Sequence, residues 1–295
     1  MMQCDCSALI DLAYQRIGFR GGASVQVGEF TALPHGSMTP QTIQEGTPVM
    51  IDDGCDVEGY KSDITRTFVI GKPTDKMKRC FDLVHQAQQA AYEAARVGNE
   101  CQAVDAAARK VITDGGFGPD YKYFAHRLGH GIGMDGHEWP YLVRGNTLKL
   151  QPNMTFSDEP GIYIPGEFGM RLEDDNRIMP EGPSQLFTPQ SPSLERPFAT
   201  AFVRPGRFRF QFTDTGLGDR SSRYIVWADG NEVLSWWDAK PGVRHPGALQ
   251  DALAPAAGIS GGSGAGGRDC GKATGGNAAR AWARHACRLR LASSP

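Results

Sequence analysis

Four acidic residues and one histidine, Asp52, Asp63, Glu159, Glu173 and His130, recur along this chain in a pattern that suits a pair of divalent cations. Asp52 and Asp63 flank a polar, glycine-containing break between two β-prone runs, Val49-Met50-Ile51 and Ile64-Thr65-Arg66-Thr67-Phe68-Val69. If that break is a turn centred between Val57 and Glu58, Asp52 faces Asp63 on one side of a hairpin and Asp53 points to the other. Opposed carboxylates with Cβ atoms roughly 5 Å apart repel each other unless a proton or a cation lies between them. A divalent metal ion answers that requirement.

Glu159 and Glu173 repeat the device. They lie symmetrically about Gly166, so an antiparallel return with its loop at Pro165-Gly166 makes them cross-strand neighbours, and the period of two puts Arg171 on the face of Glu173. Between the two pairs comes His126-Arg127-Leu128-Gly129-His130-Gly131-Ile132-Gly133-Met134-Asp135-Gly136-His137. This stretch is too rich in glycine for a helix interior and reads as a loop or strand edge, with the glycines beside His130 allowing close backbone approach. Four carboxylates and one imidazole suit hard divalent ions better than a thiolate-type zinc site; manganese is the first choice, then cobalt or zinc. Any one of these acids alone reads as a solvated strand charge. Their joint occurrence, with further histidines at 35, 126 and 137, carries the metal-site reading.

Five strings now carry a family resemblance: Ile51-Asp52-Asp53-Gly54, Gly59-Tyr60-Lys61-Ser62-Asp63-Ile64-Thr65-Arg66-Thr67, Gly129-His130-Gly131-Ile132-Gly133, Asp158-Glu159-Pro160-Gly161-Ile162-Tyr163 and Arg171-Leu172-Glu173-Asp174-Asp175. In their order the chain resembles, over residues 21 to 197, the catalytic domain of Xaa-Pro aminopeptidases and prolidases, the pita-bread metallopeptidases. The resemblance implies an α+β domain, a curved and pseudo-twofold symmetric antiparallel sheet covered by helices. It implies two divalent ions held by Asp52, Asp63, His130, Glu159 and Glu173, with Asp63 and Glu173 bridging. A family histidine matches His35 in Leu33-Pro34-His35-Gly36, and His126, His137, Tyr163 and Arg171 fall among the substrate-shaping and proton-handling groups.

The implied activity is hydrolysis of the Xaa-Pro bond at the N-terminus of peptides or in dipeptides, by attack of a metal-bridging hydroxide. His137, with His35 as a second donor, would hold the oxyanion, and Glu159 would shuttle the proton. The expected catalytic set is therefore His35, His137, Glu159 and Arg171, and the expected substrate contacts are His35, His126, His137, Tyr163 and Arg171. Two other readings share the fold: a metal-dependent hydrolase of a non-peptide substrate, and a non-catalytic peptide-binding module. The expected partner is a peptide with proline in second position, and a homodimer is an expected assembly.

Composition restricts the remaining classes. With 31 basic against 33 acidic residues, the formal net charge of −2 gives no basic surface for nucleic acid, and no apolar run is long enough to span a bilayer. The first residues, Met1-Met2-Gln3-Cys4-Asp5-Cys6, lack a basic region followed by an apolar core, so the cytoplasm is the default location. Seven cysteines without zinc-type spacing read as reduced thiols.

The elements that must position the five donors are partly legible. Ser7 is expected to cap a helix over residues 8–17, ended by the glycines that begin at Gly18. Residues 75–97 carry Phe81, Val84, Ala87, Ala91 and Ala95 on one stripe, residues 100–115 read the same way, and both amphipathic helices would cover the sheet. Residues 1–197 are read as the catalytic domain without the N-terminal domain such relatives usually carry, 198–254 as a small β-like extension, and 255–295 as a Gly/Ala-rich basic tail expected to be disordered.

Overall fold

The computed structural model describes residues 1–188, 194, 198–203, 207–217, 220–229, 232–237 and 240–245. The expected disorder of 255–295 lies outside the described residues.

Three α-helices precede most of the sheet: α1 (Gln3–Ile17), α2 (Asp75–Ala94) and α3 (Cys101–Asp114). Helix α1 starts at Gln3 and not after Ser7, because the carboxylate of Asp5, three residues into the helix, accepts the Met2 N–H at 2.8 Å and satisfies the free end. Gly18 closes it in the left-handed region, φ 87°, which glycine adopts without strain. Thr74 caps α2 by accepting the Met77 N–H at 3.2 Å. The predicted stripe Phe81, Val84, Ala87, Ala91 and Ala95 is buried throughout.

The strands form separate antiparallel sheets. Strand β2 (Pro48–Val57) pairs with β1 (Arg20–Val27) on one side and with β3 (Tyr60–Lys61) and β4 (Ile64–Val69) on the other. A second sheet runs in the order β11-β10-β7-β5-β6, built from β5 (Gly129–Gly131), β6 (Glu138–Leu142), β7 (Thr155–Asp158), β10 (Asp174–Arg177) and β11 (Gln185–Leu186). The hairpin of β8 (Gly161–Ile164) and β9 (Phe168–Arg171) stands between β7 and β10 in sequence. Strands β12 to β16, Phe198–Val203 through Lys240–Arg244, form a five-stranded meander.

Among the described residues, two hydrophobic clusters hold the helices to the first two sheets and the β8–β9 hairpin. One packs α2 and α3 against the second sheet and the β8–β9 hairpin, around Phe81, Val84, Val104, Ile112, Phe156 and Met170. The other packs α1 on β1 and β2 through Ile10, Val25, Val49 and Ile51. The halves meet edge to edge. The Glu173 N–H donates to the Thr65 carbonyl (3.1 Å), the Thr67 hydroxyl to the Arg171 carbonyl (2.8 Å), and the Asp63 N–H to the Asp175 carboxylate (2.9 Å). That seam brings residues more than 100 positions apart in the chain into one site. Among the described residues, no helix is long and apolar enough to cross a membrane.

Candidate metal centre

The first acidic pair sits in a slightly different register from the one expected. The turn is centred on Glu58-Gly59, with φ 53° and 88°, the two left-handed residues of a type I′ hairpin turn. Asp52 therefore pairs with Thr65, and Asp63 falls in the gap between β3 and β4, two residues from the position opposite Asp52. A shift of two residues preserves the face, because side chains alternate with period two. Asp52 and Asp63 still converge, together with Glu173, with ligand atoms within 4.8 Å of one another.

The second pair follows the expected symmetry about Gly166. Gly161 pairs with Arg171 and Asp158 with Asp174, so the two ladders keep one register, and Glu159 and Glu173 lie in the gap between them. Pro160, which has no N–H to donate, stands in that gap. Pairing is interrupted at Asp63 in the first hairpin and at Glu159 and Glu173 in the second, while Asp52 stays within its ladder.

His130 is not on an edge. Strand β5 lies between β6 and β7, in the interior of its sheet. The flanking glycines make this possible: a Cβ at Gly129 would lie 1.8 Å from the Ser157 carbonyl oxygen, and one at Gly131 2.5 Å from that of Trp139. The His130 Nε2 reaches 3.4 Å from Glu159 Oε1 and 3.7 Å from Asp63 Oδ2, and its ring lies edge-on to His137 at 4.0 Å between centroids.

Two donor sets emerge, His130 with Glu159 and Glu173, and Asp52 with Asp63 and Glu173; a third combines Asp63, His130 and His137. Burial and the neighbouring carboxylates of Glu173, Asp52 and Glu159 push Asp63 up to about 12, and burial with Asp52 pushes Glu173 up to about 7. Glu159 is raised well above its ordinary value by burial and Glu173. Burial, with His137 nearby, pushes His130 down to about 3, which leaves a neutral imidazole with a free lone pair. A cluster of mutually repelling carboxylates around a neutral imidazole is the donor chemistry of hard divalent ions, and the residues fit such ions. Surrounding groups orient the ligands. Thr65 Oγ1 donates to Glu173 Oε2 (2.6 Å) while accepting from Arg171 Nε (2.9 Å), and Ser157 Oγ lies 3.3 Å from Glu159 Oε1.

The ligands open into a pocket of about 510 Å³ whose wall also includes His35, His126, Arg127, His137, Tyr141 and Arg171. Arg171 donates to Asp52 Oδ2 (2.5 Å) and to the Pro34 carbonyl (3.0 Å), tying the segment that carries His35 to the ligand strands. Tyr163 is placed differently from a substrate contact: it is buried behind the wall, with its hydroxyl 2.7 Å from His126 Nε2 and 3.5 Å from Arg171 Nη1. His126 Nδ1 faces the Arg127 carbonyl at 2.7 Å, and a carbonyl only accepts. The proton is therefore on Nδ1, and Nε2 accepts from the Tyr163 hydroxyl. Burial, then Arg171, pushes His126 down to about 3, consistent with that neutral ring.

Four residues escaped the sequence reading. Thr65 was within reach, because it lies two positions from Asp63 and so shares its face. Ser157 follows in the same way from Glu159. Arg127, whose guanidinium lies 4.6 Å from the centre of the Tyr141 ring, comes from an irregular segment whose periodicity gives no face, and Tyr141 comes from the short strand β6, where it pairs with His130.

Residues 1–179 match the sequence model of metallopeptidase family M24. The chain is 47% identical over 158 residues to a Xaa-Pro dipeptidase of Lactobacillus delbrueckii subsp. lactis, a match covering 54% of this chain and 42% of that protein. It is 41% identical over 159 residues to a Xaa-Pro dipeptidase of Pyrococcus furiosus, covering 54% and 45%. Among solved structures, a dipeptidase from Pyrococcus horikoshii OT3 aligns at TM-score 0.60 and 37% identity, over 64% of this chain and 52% of that one. The X-Pro aminopeptidase of Thermotoga maritima aligns at TM-score 0.61 and 34% identity, over 65% and 55%. The chain spans less than half the length of these two curated relatives. The matched residues include all five metal-directed side chains, and the chain belongs to metallopeptidase family M24, with its pita-bread fold.

Proposed function

We propose that this chain carries the catalytic centre of a two-metal exopeptidase that cleaves the Xaa-Pro bond at the N-terminus of peptides or in Xaa-Pro dipeptides. The observation that carries this reading is Glu173: it belongs both to the set with His130 and Glu159 and to the set with Asp52 and Asp63, as a residue shared between two adjacent ions would. Relatives named as Xaa-Pro dipeptidases support the substrate class.

Asp52, Asp63, His130, Glu159 and Glu173 would hold the ions, which supply an activated water and polarise the scissile carbonyl. The rest of the work belongs to the chain. Arg171 and Thr65 fix Asp52 and Glu173 before substrate arrives, so little reorganisation is left to the reaction. Glu159 takes up the proton released by the attacking water at a carboxylate oxygen and passes it to the leaving nitrogen. His137 and His35, on the pocket wall, donate to the carbonyl oxygen as it gains charge. His126 and Arg171 shape the space for the residue on either side of the bond. Manganese is the proposed ion on the oxygen-rich donor set, and the cytoplasm the proposed location.

The test is release of free amino acid from an X-Pro dipeptide and an X-Pro-Y tripeptide with added manganese, before and after chelation. Hydrolysis that chelation abolishes and manganese restores is expected. Cleavage of neither peptide by metal-loaded chain overturns the assignment.

A further inference from the structure

Helix α3 carries an ion pair one turn apart, Asp105 and Arg109, whose side chains are only 2% and 7% exposed. Arg109 Nε donates to Asp105 Oδ2 at 2.7 Å and Nη2 to Oδ1 at 3.0 Å, the two-point geometry that only a guanidinium provides. A buried pair of this kind adds little net stability, since the loss of hydration offsets most of the attraction. Its remaining hydrogen bonds show where it acts. Arg109 Nη1 donates to the Phe124 carbonyl at 2.8 Å, Nη2 donates to the His126 carbonyl, and Asp105 Oδ1 accepts the Leu128 N–H at 3.1 Å. All three contacts fall on residues 124–128, the last part of the connection from α3 to β5, which runs past His126 into the strand of His130.

The contacts between rings extend the same line. The guanidinium lies 4.2 Å from the centre of the Phe124 ring, Phe124 meets His126 edge-on at 5.1 Å, and His126 meets Tyr163 at 5.4 Å. We propose that the Asp105–Arg109 pair is a positioning device for His126: it fixes the backbone on either side of the ring and so sets the wall of the substrate pocket. Neither residue touches substrate. This inference rests on the peptidase reading only in assigning His126 to that wall.

Arg109→Lys keeps the charge beside Asp105, but an ammonium cannot bridge two carbonyls and a carboxylate together. In the full-length chain, this variant is expected to keep its melting temperature within a few degrees and its ion content unchanged, while kcat/KM for an X-Pro dipeptide falls about tenfold. In a His126→Ala background the same substitution is expected to change kcat/KM by less than about twofold, since the residue it positions is gone. The side-chain ¹⁵N signals of His126 are expected to move in Arg109→Lys; this readout needs no turnover, so it tests the positioning even if the chain cleaves no X-Pro peptide. Should Arg109→Lys fail to fold, Asp105→Leu/Arg109→Met removes the pair without leaving a lone buried charge and is read in the same way. Unmoved His126 signals, or an equal loss of kcat/KM with and without the His126 ring, overturn the proposal.

Discussion

Arg171 Nη2 lies 2.5 Å from Asp52 Oδ2, so one of the carboxylates aimed at a cation is already held by one from a strand 119 residues away. The guanidinium steadies the ligand and also competes for it. Arg171→Met is therefore expected to leave ion uptake intact or tighter, because a repelling positive charge is removed, while X-Pro hydrolysis falls at least tenfold through the loss of orientation at Asp52, Thr65 and Pro34. Elemental analysis beside steady-state kinetics checks it. Loss of bound metal in that variant would show that Arg171 builds the ligand set and does not merely orient it.

The two overlapping donor sets make a stoichiometric prediction. His130→Ala should remove one ion from the loaded chain, and Glu173→Ala should remove both, because Glu173 alone belongs to the two sets that divide the five ligands. Plasma emission analysis after gel filtration in limiting manganese reads the difference. Equal ion loss in the two variants contradicts the shared role of Glu173.

The crowded acids give the metal-free chain an unusual pH dependence. Asp63, pushed up to about 12 by burial and its acidic neighbours, binds a proton in the fold at a pH where the unfolded chain has lost it. A raised carboxylate pKa means that the folded state binds more protons, so stability falls as pH rises above the ordinary value. His126 and His130, both pushed down to about 3, act in the opposite direction only below the ordinary histidine value of 6.5. Between about pH 7 and 9 the histidines are largely neutral in both states, and the slope is set by the raised carboxylates together with the buried thiols of Cys6 and Cys80, pushed up to about 11 by burial. The melting temperature of chelated protein should therefore fall across that window, and manganese, by binding the acidic cluster but not the buried thiols, should make the fall shallower. A flat or rising curve for chelated protein excludes this account of the acidic cluster.

Glycine substitutions near His130 should differ sharply. At Gly129 a methyl group meets the Ser157 backbone at 1.8 Å, where nothing can yield without breaking the β5–β7 contact, so Gly129→Ala is expected to cost about 3 kcal/mol or more. At Gly133 the nearest atom is the flexible end of Glu138, at 2.7 Å, and Gly133→Ala should cost less than about 1 kcal/mol. Urea unfolding of the two variants side by side decides the matter; similar losses would mean that close packing is not why Gly129 flanks the ligand.

The acidic residues were legible in the sequence because hairpin symmetry has a period that errors of two residues leave intact. Asp52 and Asp63 kept their common face although the turn is centred one position later, on the left-handed Glu58-Gly59 pair. Glu159 and Glu173 were read correctly about Gly166, yet the ladder gap that frees their side chains is set by tertiary packing along the Thr65–Glu173 seam, which no local pattern encodes. The same holds for His130, where glycine marked a close approach but not the interior strand that requires it. The start of α1 was misplaced because Asp5, not the more familiar Ser7, satisfies its free N–H group. Tyr163 was identified as important from its string alone; only the folded chain separates a residue lining a pocket from one standing behind it.

The hydrogen bonds around His126 fix what its ring can present to the pocket. With Nδ1 committed to a carbonyl and Nε2 to a phenol, the ring has no polar atom left to offer, and an incoming ligand meets carbon edges. Under the proposed peptidase reading, discrimination among ligands at that point of the wall would rest on contour and volume, and a side chain of the wrong bulk would be turned away there without any exchange of charge.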